Sequence, residues 1–306
     1  SGVDFLTPTL DLNERAKIWY ESTGREIKVF IGDLSEINVT KSLFDGTAKY
    51  DWALNKNFSG IPNCVIHFAE QPSAPYSMMN LEKSDFTIVN NLRVTNNLMW
   101  CVKDFSPTTH IIKLGTMGEY GTPNIDIEEG WIDIYHKGQN DRFLFPRQAS
   151  SIYHTSKIMD TDLLWFGVRT WGLTVTDLMQ GPVYGIETDE SLKDQRLMTS
   201  FSYDEIFGTV LNRFIVQSIC NYPLTIYGSG NQKRGYLNLI DTLKCIYAAF
   251  ENPPTQGKLD IYNQITEVLS VKEIALLVQQ IGNERGHKVK IQSVDNPRVE
   301  KEDHYY

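Results

Sequence analysis

The chain has 306 residues, of which 41% are hydrophobic and 22% charged, a balance typical of a globular protein. Its 38 acidic residues outnumber the 29 basic ones and give a formal charge of −9, which argues against nucleic acid or an anionic membrane surface as the main partner. No apolar run approaches the roughly 20 residues of a membrane span, and no signal peptide is visible at the start.

Four widely separated cysteines lie in apolar segments: Cys64, Cys101, Cys220 and Cys245. This spacing favours reduced core thiols over a disulfide framework or a zinc site. The sequence therefore predicts no metal site. It also predicts a cytoplasmic location, or the plastid stroma if the source is a photosynthetic eukaryote.

Short β-rich runs alternate with helical stretches along the chain. Strands are predicted at 27–31, 64–68, 110–114, 173–178, 224–227 and 259–262, and helices at 81–105, 204–220, 240–250 and 271–281. This alternation predicts right-handed parallel crossovers with helices on both faces of one sheet. The segment 124–148 is expected to be an irregular insertion. The predicted fold class is α/β, with a doubly wound parallel sheet.

Polar residues follow four of the predicted elements at or near their ends: Asp33, Glu70, Thr116 and Gln180. Ligands of open parallel sheets bind beyond the carboxyl ends of the strands. We therefore expect these four side chains to face one crevice.

A glycine-rich turn, Leu114–Gly121, leaves the third predicted strand and matches G-x-x-G-x-x-G. We reject a dinucleotide phosphate loop here, because such a loop feeds a helix N-terminus and Thr122-Pro123 prevents a helix from starting. The glycines would let the backbone curl around a ligand. Taken alone, the segment is better explained as a tight turn without function.

Tyr153 and Lys157 are four residues apart and so share one face of a predicted helix. A Lys ammonium beside a Tyr hydroxyl lowers the pKa of the phenol from about 10 toward neutrality and creates a general base. Alone, this pair is typical of a solvated helix face. With Thr116 at a strand end, it becomes the Ser/Thr–Tyr–Lys arrangement of a hydride-transfer enzyme.

Longer motifs extend this pattern over essentially the whole chain. They occupy residues 67–78, 113–130, 148–154, 176–181, 227–237, 262–264 and 296–300, and the C-terminal 304–306. On these motifs the chain resembles the extended short-chain dehydrogenase/reductases and, within them, the UDP-sulfoquinovose synthase family. The stretch GTMGEYGTPNIDIEEG is specific to that family, whereas the Tyr/Lys pair is common to the superfamily.

The resemblance implies a Rossmann-type NAD-binding domain over 1–180 and 236–262, and a smaller UDP-sugar domain over 181–235 and 263–306. The family's first strand and glycine-rich phosphate loop would precede Ser1 and are missing from this chain. We therefore expect the 306 residues expressed alone to be insoluble or free of NAD. A second departure is Pro72, which stands where the family carries an arginine.

The resemblance also implies a reaction, in which UDP-glucose and sulfite give UDP-sulfoquinovose with NAD regenerated in each turnover. Tyr153 would take the C4 hydroxyl proton, Lys157 would bind the nicotinamide ribose, and Thr116 would hydrogen-bond the C4 oxygen. Glu119 and His154 suit the proton transfers at C5 and C6. Burial for packing alone is an equally good interpretation of His154.

Three sets of site residues follow from the resemblance. The expected catalytic residues are Thr116, Met117, Glu119, Tyr153, His154 and Lys157. The expected NAD-binding residues are Asp33, Leu34, Phe68, Ala69, Glu70, Gln71, Asn91, Leu114, Tyr153, Lys157, Gln180 and Val183. The expected substrate-binding residues are Thr116, Gly118, Glu119, Gln180, Asn212, Tyr227, Gln232, Arg234, Asn263 and Arg298. The expected partners are UDP-glucose, sulfite and a second copy of the chain in a homodimer.

Two alternatives stay open at this point. One is another NAD-dependent nucleotide-sugar enzyme on the same scaffold, a 4-epimerase or a 4,6-dehydratase. Met117 and Gly118 stand where dehydratases carry an Asp-Glu pair, which disfavours a simple dehydratase. The other is a non-catalytic nucleotide-sugar-binding protein that has lost its cofactor.

Overall fold

A computed structural model describes residues 9–54, 60–123 and 125–295 of the chain. The helices in these ranges are α1 (Leu12–Thr23), α2 (Ile37–Asp45), α3 (Ala74–Ser77), α4 (Leu81–Phe105), α5 (Ile152–Trp171), α6 (Val210–Ile219), α7 (Leu239–Glu251) and α8 (Val271–Glu284). The strands are β1 (Cys64–His67), β2 (His110–Thr116), β3 (Trp131–His136), β4 (Gln139–Leu144), β5 (Thr174–Gln180), β6 (Val183–Tyr184), β7 (Leu224–Tyr227), β8 (Lys233–Asn238), β9 (Leu259–Gln264), β10 (Glu267–Ser270) and β11 (Ile291–Val294).

The central sheet has the strand order β1-β2-β5-β9, and all of its pairs are parallel. Side chains alternate between its faces, so Ile111 packs with α4 and α5 while Ile112 packs with α7. Both isoleucines are fully buried. The prediction of an α/β fold with helices on both faces of a parallel sheet is therefore confirmed.

A second group of elements lies outside the central sheet. It contains the strands β10-β8-β6 and the pair β11-β7, and its own core includes Phe214, Leu224 and Ile274. Most residues of this core fall in the predicted UDP-sugar domain. Strand β8, however, crosses the predicted boundary at 235/236, and Tyr236 packs in this second core. The division itself stays a prediction.

Two strand predictions need correction. The run 27–31 forms no strand: only Val29 makes an isolated bridge, with Trp52, while Ile27 and Ile31 are exposed. No neighbouring strand among the described residues covers these side chains. The predicted strand 224–227 exists as β7, but it pairs with β11 outside the central sheet.

The expectation of an irregular insertion over 124–148 is wrong for most of its described residues. β3 and β4 form an antiparallel hairpin, paired from Trp131 with Leu144 to His136 with Gln139. Lys137 and Gly138 form its turn, both with positive φ (49° and 80°), the combination that two-residue hairpins favour. The predicted helix 204–220 is also shorter than expected, because α6 begins only at Val210 after its cap Thr209.

All four cysteines are free thiols. Cys101 is buried, but Cys220 is exposed, so the expectation that all four are core residues is wrong. Among the described helices, none has the length and apolar character needed to cross a bilayer.

Candidate active site

A cavity of ≈ 870 Å³ opens at the carboxyl end of the central sheet. Glu70, Thr116 and Gln180 all line it, as expected from their positions after β1, β2 and β5. Asp33 does not line it. Its exposed carboxylate accepts the backbone N–H of Ser35 at 2.9 Å, and the run 27–31 before it forms no strand.

The start of α5 supplies the Tyr/Lys pair. Ser151 caps the helix by accepting the N–H of His154, which places Tyr153 in the first turn and Lys157 one turn further. Both line the cavity. Nζ of Lys157 lies 2.6 Å from Oε1 of Glu70, and these two side chains are only 3% and 5% exposed. Burial is the largest cause and alone would lower the pKa of Lys157, but Glu70, together with the charges of Asp160 and Glu119, outweighs it, so the pKa is raised and the lysine stays charged.

The expected lowering of the Tyr153 pKa is not found. Burial raises this pKa first, and the negative charges of Glu70 and Glu119 raise it further. The ammonium of Lys113 opposes this rise, while that of Lys157 is paired with Glu70. Tyr153 therefore holds its proton in this arrangement, and any enzymatic role as a base requires this charge balance to change.

His154 lies against the glycine-rich turn. A Cβ on Gly118 would overlap Nε2 of His154, so only glycine leaves room for the imidazole there. Nδ1 of His154 is 3.0 Å from Oγ of Ser151. Burial and the positive charge of Arg234 lower the pKa of His154 to about 4, so the ring is neutral at pH 7. Both His154 and Gly118 line the cavity.

The turn after β2 forms the part of the cavity wall beside His154. Oγ1 of Thr116 accepts the N–H of Gly118 at 3.2 Å and begins a single helical turn over Met117–Glu119. This single turn is followed by no longer helix, in agreement with the rejection of a phosphate loop. Thr116 and Met117 both line the cavity, and Met117 is only 4% exposed.

Glu119 lies behind this wall rather than in it. Its carboxylate is fully buried, lies 2.9 Å from Nζ of Lys113 and 3.6 Å from Nη1 of Arg147, and does not line the cavity. Nζ of Lys113 also contacts Asp177 at 3.1 Å. Its oxygens are occupied by buried cations, so its position does not support contact with the sugar, and that role stays a prediction.

The expected NAD-binding residues divide into three groups. The large cavity is lined by Phe68, Glu70, Leu114, Tyr153, Lys157, Gln180 and Val183. An adjoining apolar groove of ≈ 280 Å³ is lined by Leu34 and Ala69, and Phe68 lines both spaces. Asp33, Gln71 and Asn91 line neither of them.

Asn91 instead holds the backbone of Gln71, in the loop after β1. Oδ1 of Asn91 accepts the N–H of Gln71 at 2.8 Å, and Nδ2 of Asn91 donates to the Gln71 carbonyl at 3.2 Å and to Oγ of Ser156 at 3.1 Å. Asn91 is fully buried. It therefore braces the loop after β1 against α5, and its assignment to the NAD site stays a prediction.

The expected substrate-binding residues also divide. Thr116, Gly118, Gln180 and Arg234 line the large cavity. Tyr227, Gln232 and Arg234 line a second cavity of ≈ 380 Å³, so Arg234 faces both. Asn212 lines neither, because Nδ2 donates to the Ser202 carbonyl at 2.9 Å. Oδ1 of Asn263 likewise accepts the Tyr120 hydroxyl at 2.9 Å. Arg298 lies outside the described residues.

Sequence reasoning missed two basic residues. Arg213 lines the second cavity and stacks 4.5 Å from the centre of the Tyr227 ring. Lys113 anchors the buried carboxylates behind the large cavity. A signal for Lys113 was present, because a lysine inside the apolar run His110–Leu114 requires buried partners. Arg213 offers no such signal, since α6 has polar residues at many positions.

Comparisons with known proteins agree with this architecture. Residues 33–263 match the model of the NAD dependent epimerase/dehydratase family. The chain is 45% identical over 305 residues to "UDP-sulfoquinovose synthase, chloroplastic" of Spinacia oleracea, and covers 61% of that protein. It is 41% identical over 306 residues to "UDP-sulfoquinovose synthase" of Sulfolobus acidocaldarius, and covers 74% of it. Both matches span the full length of this chain. The chain covers only 61% and 74% of the length of these two relatives.

Solved structures support the fold. A UDP-glucuronic acid 4-epimerase from Bacillus cereus, in complex with UDP-glucuronic acid and NAD, superposes with a TM-score of 0.69 at 18% identity, covering 98% of this chain and 79% of that one. A UDP-glucose 4-epimerase from Bifidobacterium longum gives a TM-score of 0.68 at 19% identity, covering 96% and 77%. The central sheet, the Tyr/Lys helix and the matched sequence model together show that the chain belongs to the NAD dependent epimerase/dehydratase family.

Proposed function

We propose that this chain catalyses the NAD-dependent conversion of UDP-glucose and sulfite to UDP-sulfoquinovose. One observation carries the proposal: the Thr116–Gly118 turn and the Tyr153/Lys157 pair line the same cavity. This turn belongs to the stretch GTMGEYGTPNIDIEEG, which is typical of that family. The identity of 41–45% to two proteins with this name supports the same assignment.

The described residues fit NAD. A charged lysine and a tyrosine hydroxyl line one side of a cavity of ≈ 870 Å³, within the usual size of small-molecule sites. The adjoining apolar groove beside Phe68 would receive the adenine end. Oε2 of Glu70 is buried without a hydrogen-bonding partner among the described residues, which leaves a polar atom available beside the lysine. When bound, NAD would supply reversible hydride transfer at C4 of the sugar.

The chain's own residues would manage protons and orientation. Tyr153 would take the proton of the C4 hydroxyl, and Thr116 would hydrogen-bond the same oxygen. A C4 ketone acidifies the neighbouring C5–H, so that proton can leave as water is lost across C5–C6. His154, neutral and close to Gly118, would carry a proton between C5 and C6. Sulfite then adds at C6, and the C4 ketone is reduced again.

Arg234 would hold an anion between the two cavities. Because it faces both, its guanidinium can contact the diphosphate of a UDP-sugar whose glucose enters the large cavity. Pro72 lines both cavities as well. Because it is a proline, Pro72 offers no charge for an anion, which leaves Arg234 as the arginine shared by the two cavities.

An assay of the protein with UDP-glucose and NAD, with and without sulfite, tests the proposal. We expect a sulfonated nucleotide sugar by mass spectrometry only when sulfite is present. Conversion of UDP-glucose to UDP-galactose, or accumulation of a 4-keto-6-deoxy sugar regardless of sulfite, would indicate an epimerase or a dehydratase instead. Absence of any product, together with binding of UDP-glucose, would support the non-catalytic alternative.

We further propose that the chain forms a homodimer through α4 and α5. Five large apolar side chains on these helices are 38–47% exposed: Phe86, Val89, Trp100, Met159 and Phe166. A second copy would remove them from water. Light scattering after size exclusion tests this, and a monomer at micromolar concentration would contradict it.

We also propose that the protein works in a reducing compartment, the cytoplasm or the plastid stroma. Its four free thiols, one of them exposed, are the supporting observation. Fractionation of source cells, followed by detection of the protein with an antibody, tests this location.

A further inference from the structure

A dense group of charged side chains lies buried behind the Tyr/Lys pair. It holds three cations and four carboxyl groups within the described residues: Lys113, Arg147, Lys157, Glu70, Glu119, Asp160 and Asp177. If every group were ionised, the interior would carry one uncompensated negative charge. Such a charge is costly far from water, so one carboxyl is expected to keep its proton.

Ion pairing identifies that carboxyl. Glu70 lies 2.6 Å from Lys157, while Glu119 and Asp177 lie 2.9 Å and 3.1 Å from Lys113. Asp160, fully buried, forms no ion pair among the described residues. Neither of its oxygens has a hydrogen bond of normal geometry there, although the Thr95 hydroxyl interacts with it.

A short polar chain joins Asp160 to the cavity. Oγ1 of Thr95 lies 3.0 Å from Nε2 of His67, and the same nitrogen lies 3.5 Å from Oε1 of Glu70. That oxygen in turn holds Nζ of Lys157. Asp160 also follows Lys157 by three residues on α5, so the two share a helix face.

We propose that Asp160 keeps a proton at neutral pH and acts as a positioning residue: while uncharged, it leaves Lys157 paired with Glu70 alone and makes it easier for Tyr153 to give up its proton. The kinetic part of this inference rests on the proposed function. Its protonation part does not.

The electrostatics agree with this geometry. Burial first, and then the negative charge of Glu70, raise the pKa of Asp160 to about 7, while Lys157 and Lys113 oppose the rise. Burial holds the pKa of His67 down to about 4, so this neighbour is neutral. Ionised Asp160 adds to the causes that raise the pKa of Tyr153. The carboxylates of Glu119 and Asp177 are paired with Lys113.

Asp160→Asn tests the inference, with Asp162→Asn as the matched control, because Asp162 is exposed on the same helix. Infrared difference spectra recorded across neutral pH detect the carbonyl stretch of a protonated, buried carboxyl group. We expect this band in the wild-type protein and in Asp162→Asn, and its loss in Asp160→Asn. We also expect the rising limb of the kcat–pH profile to move to lower pH by about half a unit in Asp160→Asn and to stay in place in the control.

Thr95→Val gives a second, isosteric variant should Asp160→Asn fold poorly. Loss of its hydroxyl removes a group that favours ionised Asp160, so the infrared band should persist to higher pH. A wild-type protein without the band at neutral pH, or an Asp160→Asn protein that retains it, would overturn the inference. If no sulfonated product forms, the proposed function fails, but the infrared result still shows whether Asp160 is protonated.

Discussion

The ammonium of Lys157 and the carboxylate of Glu70 form a buried ion pair with 2.6 Å between Nζ and Oε1. The pair explains why a Tyr/Lys motif does not by itself lower the phenol pKa here, since Glu70 neutralises the charge on which that effect depends. The negative charge of Glu70 comes directly after burial among the causes that raise the pKa of Tyr153.

The first prediction follows from this pair. Glu70→Gln removes the negative charge while keeping the size of the side chain, so the pKa of Tyr153 should fall. We expect the rising limb of the kcat–pH profile to move to lower pH by about one unit. Glu82→Gln, at an exposed position of α4, is the control and should leave the profile in place. A limb that stays put or moves upward in Glu70→Gln would remove this role from Glu70.

The second prediction concerns the general base. Tyr153→Phe keeps the ring that lines the cavity and removes only the hydroxyl. We expect kcat to fall by about 10²-fold or more while the dissociation constant of UDP-glucose, measured by calorimetry, stays unchanged. Tyr135→Phe, at a residue 76% exposed on β3, should keep wild-type turnover. Substantial turnover by Tyr153→Phe would assign the proton transfer to another group.

Much of this site follows from local patterns in the sequence. Helix α4 was predicted over 81–105 and is found at Leu81–Phe105, because Asn80 caps it and an amphipathic pattern continues for its full length. The strand ends at Thr116 and Gln180 face one cavity, as parallel topology requires. The bounds of α4 depend on residues that are neighbours in the sequence, and the shared cavity follows from the general geometry of parallel sheets.

The buried charge network could not be predicted in this way. Lys113 contacts Asp177, 64 positions away, and Lys157 contacts Glu70, 87 positions away. Such pairs depend on how strands and helices pack, which no local pattern specifies. The missed hairpin β3–β4 has a different cause, since most of its side chains are exposed and show no apolar alternation.

The third prediction concerns acid stability. The pKa values of His67 and His154 are lowered to about 4 in the folded chain, from 6.5. The unfolded chain therefore binds more protons as the pH falls from 6.5 to 4, and stability is lost across this window. Each histidine can account for about 3 kcal/mol of the loss at most.

Urea denaturation at several pH values within that window checks this. His154→Gln should show a smaller loss of unfolding free energy than the wild type between neutral and acidic pH. His136→Gln, at an exposed position of β3, should follow the wild type. Equal pH dependence in all three proteins would show that His154 protonates freely in the folded state.

The fourth prediction uses the contact between Gly118 and His154. Gly118→Ala would place a methyl group into the imidazole. We expect a loss of about 1–3 kcal/mol in unfolding free energy and a lower kcat, because His154 must move. In a His154→Ala background the same substitution should reduce the unfolding free energy much less, because the space of the imidazole is vacant. Additive costs in the double variant would mean that the methyl group is accommodated elsewhere.

The fifth prediction concerns the wall near C6. Under the proposed function, sulfite would have to reach a bound enone there while water is kept out, which favours an apolar surface. Met117, 4% exposed, lines the cavity beside Thr116 and also packs in the central core. Met117→Asp would place a like charge beside incoming sulfite and offer an acid that assists loss of water, as in dehydratases.

We expect Met117→Asp to make less sulfonated product and to accumulate or release more of the 4-keto intermediate, measured by mass spectrometry at subsaturating sulfite. Burying a carboxyl also destabilises the core, so Met79→Asp, at a residue 54% exposed just after α3, controls for the substitution itself. A raised KM for sulfite with an unchanged KM for UDP-glucose separates charge repulsion from general damage to the fold. Unchanged sulfite incorporation in folded Met117→Asp would remove Met117 from this wall and leave the roles of Thr116, Tyr153 and Lys157 standing.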